Sequence, residues 1–133
     1  MLVAGIMKTD IATISPLATV REALMLMKER GVKSLVVEKR HAGDAYGLIA
    51  YRDIAKAVIA DDGDIDLLNV YDIAQKPALQ VSQHLEVRYL ARLMIQYSVK
   101  RVLVIDNNEL QGFVSITDVV GSLIDRALRD QDR

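Results

Sequence analysis

Apolar positions along the chain fall into short blocks whose period switches between helix and strand, and the blocks recur. Val20, Ala23, Leu24 and Met27 follow the i, i+3, i+4, i+7 spacing of a helix face packed on a core, and Val87, Leu90, Ala91 and Met94 repeat that face. Subtraction sets the offset. Ser15/Ser82, Val20/Val87, Leu26/Leu93, Val32/Val99 and Lys33/Lys100 are each 67 apart, and 6–39 aligns with 73–106 without a gap. Beyond the following loop, Gly47/Gly112 and Asp53/Asp118 stand 65 apart, which puts two additional residues in the first copy's loop near 38–45. A repeat of this size is one supersecondary unit that cannot bury its apolar face alone.

Within each copy the pattern predicts strand, helix, strand, strand, helix, an α/β (α+β) fold, with repeats over 1–66 and 67–133. Ala12 to Ser15 and Leu79 to Ser82 are the first strands. Thr19-Val20-Arg21-Glu22 matches the capping box that opens a helix, and Gly31 supplies its left-handed stop. Copy two has Glu86 and Ser98 in those places, so its caps are poorer. Leu35–Val37 with Tyr46–Ala50, and Arg101–Ile105 with Leu110–Ser115, are the paired strands, the second pair turning at Asn107-Asn108. Asp53 to Ala60 is expected as a helix with Ile54, Ala55, Val58 and Ile59 on one side. A short helix over Leu67 to Ala74 joins the copies, and the last helix is expected from about Asp118 toward Leu128. The polar tail Arg129 to Arg133 should fray.

Composition narrows the function classes. The 133 residues are 51% hydrophobic, enough for a core without staples, and hold no cysteine, which removes disulfides, zinc-thiolate sites and thiol catalysis. No apolar run reaches the roughly 18–20 residues that span a bilayer, so no membrane role is expected and the cytoplasm is the default location. Seventeen basic and eighteen acidic side chains leave a formal charge of -1, without the basic field that draws a protein to nucleic acid. Asp61 to Asp66 lacks the glycine position and distal Glu of a calcium loop and reads as an acidic turn. His41 and His84 have no second ligand at metal spacing, and no Walker loop or nucleophile elbow argues for an enzyme.

Candidate chemistry gathers where a strand runs into a helix: Gly112-Phe113-Val114-Ser115-Ile116-Thr117-Asp118, and its copy Gly47-Leu48-Ile49-Ala50-Tyr51-Arg52-Asp53. A carboxylate at a helix start can accept hydrogen bonds from the vicinal hydroxyls of a ribose. It can equally do no more than cap the helix. Ser115 adds a hydroxyl suited to phosphate, which Ala50 lacks, and Arg52 offers phosphate charge or a simple ion pair with Asp53. Together with the Val-Lys-Ser-Leu-Val-Val and Val-Lys-Arg-Val-Leu-Val strands, these junctions make nearly the whole chain resemble a tandem pair of CBS domains.

That resemblance implies two repeats packed with pseudo-twofold symmetry, a homodimer, and clefts that bind AMP, ADP, ATP or S-adenosylmethionine. It implies ligand contacts from Asp118, Ser115 and Thr117, from Lys100 and Arg101, and from Asp53, Arg52 and Lys33. The base would lie along Ile11 and Ala12 and along Pro77, Ala78 and Leu79. The implied role is a regulatory sensor of an adenosine-containing small molecule, acting in trans on an unknown protein partner, with no catalytic residues, metal or required cofactor. The alternative is a dimerisation or interaction scaffold that has lost its ligand, of which Ala50 would be an early sign. From the carboxylate alone capping is the stronger reading; the repeat context favours the ribose. The dimer would draw its apolar faces from Ile54, Ala55 and Val58 with Val119, Val120 and Leu123.

Overall fold

The computed structural model describes residues 1–131. Its strands form two three-stranded sheets of the same design, each with its middle strand parallel to the first and antiparallel to the third. The chain divides into two compact units: Ile11–Ala78, and Met1–Asp10 together with the residues from Leu79 onward. This division departs from repeats cut at 66/67. The first ten residues pack with the second repeat, and 67–78 pack with the first. Among the described residues no helix is long and apolar enough to cross a membrane.

In the Ile11–Ala78 unit the order is β1 (Thr13–Ile14), α1 (Val20–Arg30), β2 (Ser34–Val37), β3 (Gly47–Ala50), α2 (Tyr51–Ile54) with a π-helical continuation (Ala55–Ala60), and α3 (Val70–Ile73). Thr19 Oγ1 accepts the Glu22 amide at 3.1 Å, and Gly31 ends α1 at φ +66°, as the capping pattern requires. Val20, Ala23 and Met27 enter a core with Ile14, Leu35, Val37, Ile49, Ile54 and Val70. The expected helix over 53–60 differs in two ways. It starts two residues earlier, at Tyr51, and after Ile54 it widens to i→i+5 bonds such as Asp61 N–H to Lys56 C=O at 3.0 Å. Each wider turn takes up an additional residue, so the apolar positions lose phase: Ile54 is buried, while Ala55 is exposed and Ile59 is 81% exposed. The acidic turn is tied to α1 by Asp66, whose carboxylate accepts from Arg21 Nε and Nη2, and closed on itself by the Asp66 amide bonding Asp64 Oδ1 at 2.8 Å.

The other unit opens with a 3-10 turn (Val3–Gly5) and then carries β4 (Gln80–Val81), α4 (Val87–Gln96), β5 (Arg101–Asp106), β6 (Glu109–Ser115) and α5 (Ile116–Gln131). Val3 is fully buried among Val81, Leu90, Met94, Val102, Val104, Val114 and Val119. Ser98, at φ +53°, makes the left-handed exit that Gly31 makes after α1, and Val99 N–H reaches Met94 C=O at 3.0 Å just as Val32 N–H reaches Met27. Asn107 and Asn108 both take positive φ at the β5–β6 turn. Helix α5 begins at Ile116 rather than Asp118 and continues past Leu128 to Gln131, so the segment expected to fray is helical that far. Asp132 and Arg133 lie outside the described residues. Of the apolar faces assigned to a dimer, Ile54 and Val119 face the cores instead; the exposed large apolar residues of α5 are Val120, Leu123, Ile124 and Leu128.

Both junction glycines answer to one packing constraint. Lys8 and Phe113 exchange two backbone hydrogen bonds of 2.9 and 3.0 Å, and Gln75 and Leu48, at the equivalent places, exchange two of 2.9 Å. A Cβ on Gly112 would stand 2.7 Å from the Lys8 carbonyl oxygen, and one on Gly47 would stand 2.9 Å from that of Gln75. These obstacles are backbone atoms already tied into a ladder, so they cannot turn aside. We predict that Gly112→Ala destabilises the protein by about 1–3 kcal/mol in urea unfolding, the ordinary cost of overpacking. Gly121→Ala, with open space around its Cβ inside α5, should instead stabilise by about 0.8–1 kcal/mol. A neutral Gly112→Ala would show that the close approach is not what requires glycine.

Candidate functional site

The two strand-to-helix junctions are built alike from the backbone up. Ser115 pairs with Arg101 across β6 and β5, and the Ile116 amide bonds the Lys100 carbonyl at 2.8 Å as the chain turns into α5. In the other unit Ala50 pairs with Ser34, and the Tyr51 amide bonds the Lys33 carbonyl at 3.1 Å. Lys33 and Lys100 therefore hold the junctions through their main chains, and their exposed side chains remain in solvent.

Ser115 is the N-cap of α5 and Asp118 its third residue. Ser115 Oγ accepts the Asp118 amide at 3.2 Å, while Asp118 Oδ2 accepts the Ser115 amide at 2.9 Å and the Ser115 hydroxyl at 2.8 Å. This is a reciprocal capping box with Asp in the place usually held by Glu or Gln. The other carboxylate oxygen, Oδ1, meets Lys8 Nζ at 3.5 Å. Asp118 is 17% exposed. Burial pushes its carboxyl upward, but the Ser115 amide and hydroxyl and the Lys8 ammonium together hold it below the ordinary carboxylate range. Thr117 lies between them, exposed on the first turn.

Asp53 uses the same division of labour with weaker partners. Its Oδ2 accepts the Ala50 amide at 2.8 Å, and Gln75 Nε2 reaches its Oδ1 at 3.4 Å. Ala50 has no side-chain acceptor to return, so only half the box forms. Arg52 is exposed and pairs with no carboxylate among the described residues, so the ion pair with Asp53 does not form. Ile11, Ala12, Pro77 and Ala78 belong to the unit of Asp53, and Leu79 to that of Asp118. The Ala12 and Leu79 carbonyls fill matching places, accepting the Val36 amide at 3.0 Å and the Leu103 amide at 2.9 Å.

Two features escaped the sequence reading. Lys8 and Gln75 stand 67 apart, in repeat register, so their equivalence was visible; that each reaches its junction's carboxylate required the fold. The second is the longer loop of the first copy. Asp44, 13% exposed, takes the Lys76 ammonium at 2.6 Å and the Arg40 amide at 2.9 Å. The Lys76 hydrogen bond, then that of Arg40, drives its carboxyl far below the usual range. Beside it lies a cavity of about 420 Å³ lined by Arg40, Tyr71, Lys76 and Pro77; a groove of about 480 Å³ lies over Val87, Ala91, Val119 and Leu123. Neither contains Asp53 or Asp118.

The lowered Asp118 carboxyl sets a sign. A carboxylate whose folded-state pKa lies below its unfolded value contributes stability above the unfolded value, about 3.9, and loses it as pH falls through the folded one. The melting-temperature gap between wild type and Asp118→Asn should therefore be full at pH 6 and close as the pH drops below about 4. A gap that stays constant to acid pH would mean that the ionised carboxylate is not what closes the α5 cap.

With the geometry in place, the chain can be set beside known proteins. The CBS-domain family model matches residues 3–60 and 70–125. An uncharacterized protein of Methanopyrus kandleri is 28% identical over 89% of this chain, which spans 60% of that relative's length. The hexameric CBS-CP12 protein from bloom-forming cyanobacteria superposes with a TM-score of 0.86 at 38% identity, covering 90% of this chain and 66% of its own. A protein with CBS domains from Burkholderia ambifaria gives 0.83 at 27% identity, covering 94% and 95%. Two sheets of one design, two matching strand-to-helix junctions and two matches to one family model agree: the chain belongs to the CBS-domain family and carries two CBS repeats in tandem.

Proposed function

We propose that this CBS pair is a regulatory sensor that binds an adenosine compound, AMP, ADP, ATP or S-adenosylmethionine, at its junction carboxylates and acts in trans on a protein partner. One observation carries the reading. Asp118 closes the α5 cap with Oδ2, and among the described residues Oδ1 meets no backbone donor, only an exposed lysine at 3.5 Å. Capping and ribose binding are therefore compatible in one side chain, since the second oxygen lies outside the cap and can accept the vicinal hydroxyls. Asp53 offers its Oδ1 in the same way.

The Ser115 hydroxyl has a single proton and donates it in a hydrogen bond to Asp118 Oδ2. A phosphate at this junction would have to draw that proton away from the box or rely on basic side chains, Lys100 and Arg101 first. Self-association is the second part of the proposal. The exposed Val120, Leu123, Ile124 and Leu128 of α5 give a second copy an apolar stripe, and the cyanobacterial CBS-CP12 protein is itself hexameric.

Titration calorimetry with AMP, ATP and S-adenosylmethionine tests the first part. Asp118→Ala should weaken binding by about 1.5–3 kcal/mol, roughly tenfold or more, against a stability loss of about 0.5–2 kcal/mol for the cap. Stability that falls while affinity holds would leave Asp118 as a cap only. No binding to wild type would favour the ligand-free scaffold. Sedimentation at micromolar concentration should give a species heavier than 14.8 kDa, and Leu123→Asp should dissociate it; a wild type that runs only as the 14.8 kDa monomer defeats the dimer.

A further inference from the structure

We infer that Lys8 is the specificity-determining residue of the Asp118 junction, selecting anionic adenosine nucleotides over uncharged adenosine and over the cationic S-adenosylmethionine. This rests on the adenosine-site reading proposed above and names the ligand class it would take. Both backbone groups of Lys8 are bonded to Phe113, at 2.9 and 3.0 Å, so its Cα is a fixed point beside β6. Its side chain is 59% exposed, with Nζ 3.5 Å from Asp118 Oδ1 and 6.0 Å from the centre of the Phe113 ring. The root is therefore held by backbone bonds, and the charged tip lies at the solvent-exposed end of the side chain.

The other unit supplies an internal comparison. Gln75 has the same two backbone bonds, to Leu48, and its amide reaches Asp53 Oδ1 at 3.4 Å. At this one place the two junctions thus differ by a full positive charge. An ammonium on a flexible four-carbon stem in solvent is a weakly held ion-pair partner that re-pairs easily. Ribose hydroxyls arriving at Asp118 Oδ1 compete with Lys8 for that oxygen. A nucleotide offers the displaced ammonium a phosphate in exchange; adenosine offers it nothing, and a sulfonium repels it. Gln75 imposes no such choice at Asp53.

The test compares wild type, Lys8→Gln, which copies the other unit, and Lys8→Arg, which keeps the charge, in calorimetric titrations with adenosine, AMP and ATP at two salt concentrations. Both substitutions leave the backbone rung intact, and equal melting temperatures will show that the fold is preserved. Lys8→Gln should lose about tenfold in AMP and ATP affinity, the worth of one charge-assisted hydrogen bond. It should hold or gain affinity for adenosine and show a shallower salt dependence, with Lys8→Arg resembling wild type. If wild type binds these compounds and Lys8→Gln keeps the wild-type ratio of AMP to adenosine affinity, the role of Lys8 is overturned and the adenosine site stands. If wild type binds none of them, the adenosine site itself falls, and the role of Lys8 with it.

Discussion

Two backbone hydrogen bonds between Lys8 and Phe113, and the matching two between Gln75 and Leu48, are the contact on which the rest of the structure depends. A rung of this kind brings two main chains closer than any side chain allows, and so requires glycine at 112 and at 47. It decides which residues belong to which compact unit, since Met1–Asp10 joins the sheet of the second repeat while 67–78 closes the first. It also sets Lys8 and Gln75 beside the two junction carboxylates. The glycine of each junction serves the packing, and the aspartate six residues later stands ready for chemistry because the packing holds it there.

Each junction carboxylate divides its work between its oxygens. Oδ2 satisfies the amide of the N-cap residue, one of the donors that a helix start leaves without a partner, and Oδ1 faces a polar side chain, Lys8 or Gln75, from the chain bonded alongside the junction strand. Asp is short enough to reach back from the third helical position while keeping its second oxygen outside the cap. Asp72, at the third position of α3, reaches back to the Asn69 amide at 2.9 Å in the same way. The device is thus a general one in this chain. At Asp118 and Asp53 it coincides with the end of a sheet strand.

The repeats diverge where local sequence permits. Thr19 and Gly31 bound α1 with good caps; α4 begins without a side-chain cap at Glu86, and Ser98 adopts a left-handed backbone that a Cβ disfavours. Burial of Leu90 and Met94 compensates, because most helix stability in a folded domain comes from the apolar face and not from the ends. The longer loop of the first copy carries Asp44, which Lys76 and Arg40 hold in place, whereas the second copy turns in two asparagines.

The order of elements, the repeat and both junctions were legible in the sequence, because they depend on local rules: helical spacing in Val20 to Met27, the Thr19 side-chain cap, Asn107-Asn108 at positive φ. Asp118 and Asp53 were found for the same reason. Their double duty was not, since sequence presents capping and ligand binding as rivals and only coordinates assign them to different oxygens. The phase of Ile59 was lost because the helix widens to π-helical turns after Ile54, and the spacing of apolar residues gives no sign of that change. Lys8, Gln75, and the ties of Asp44 to Lys76 were out of reach as contacts, because each joins residues 22 to 110 positions apart along the chain. Spacing alone settles what a short segment does with its own backbone; which distant chain crosses it, and which charge that chain delivers, is decided only when the sheets and helices have packed.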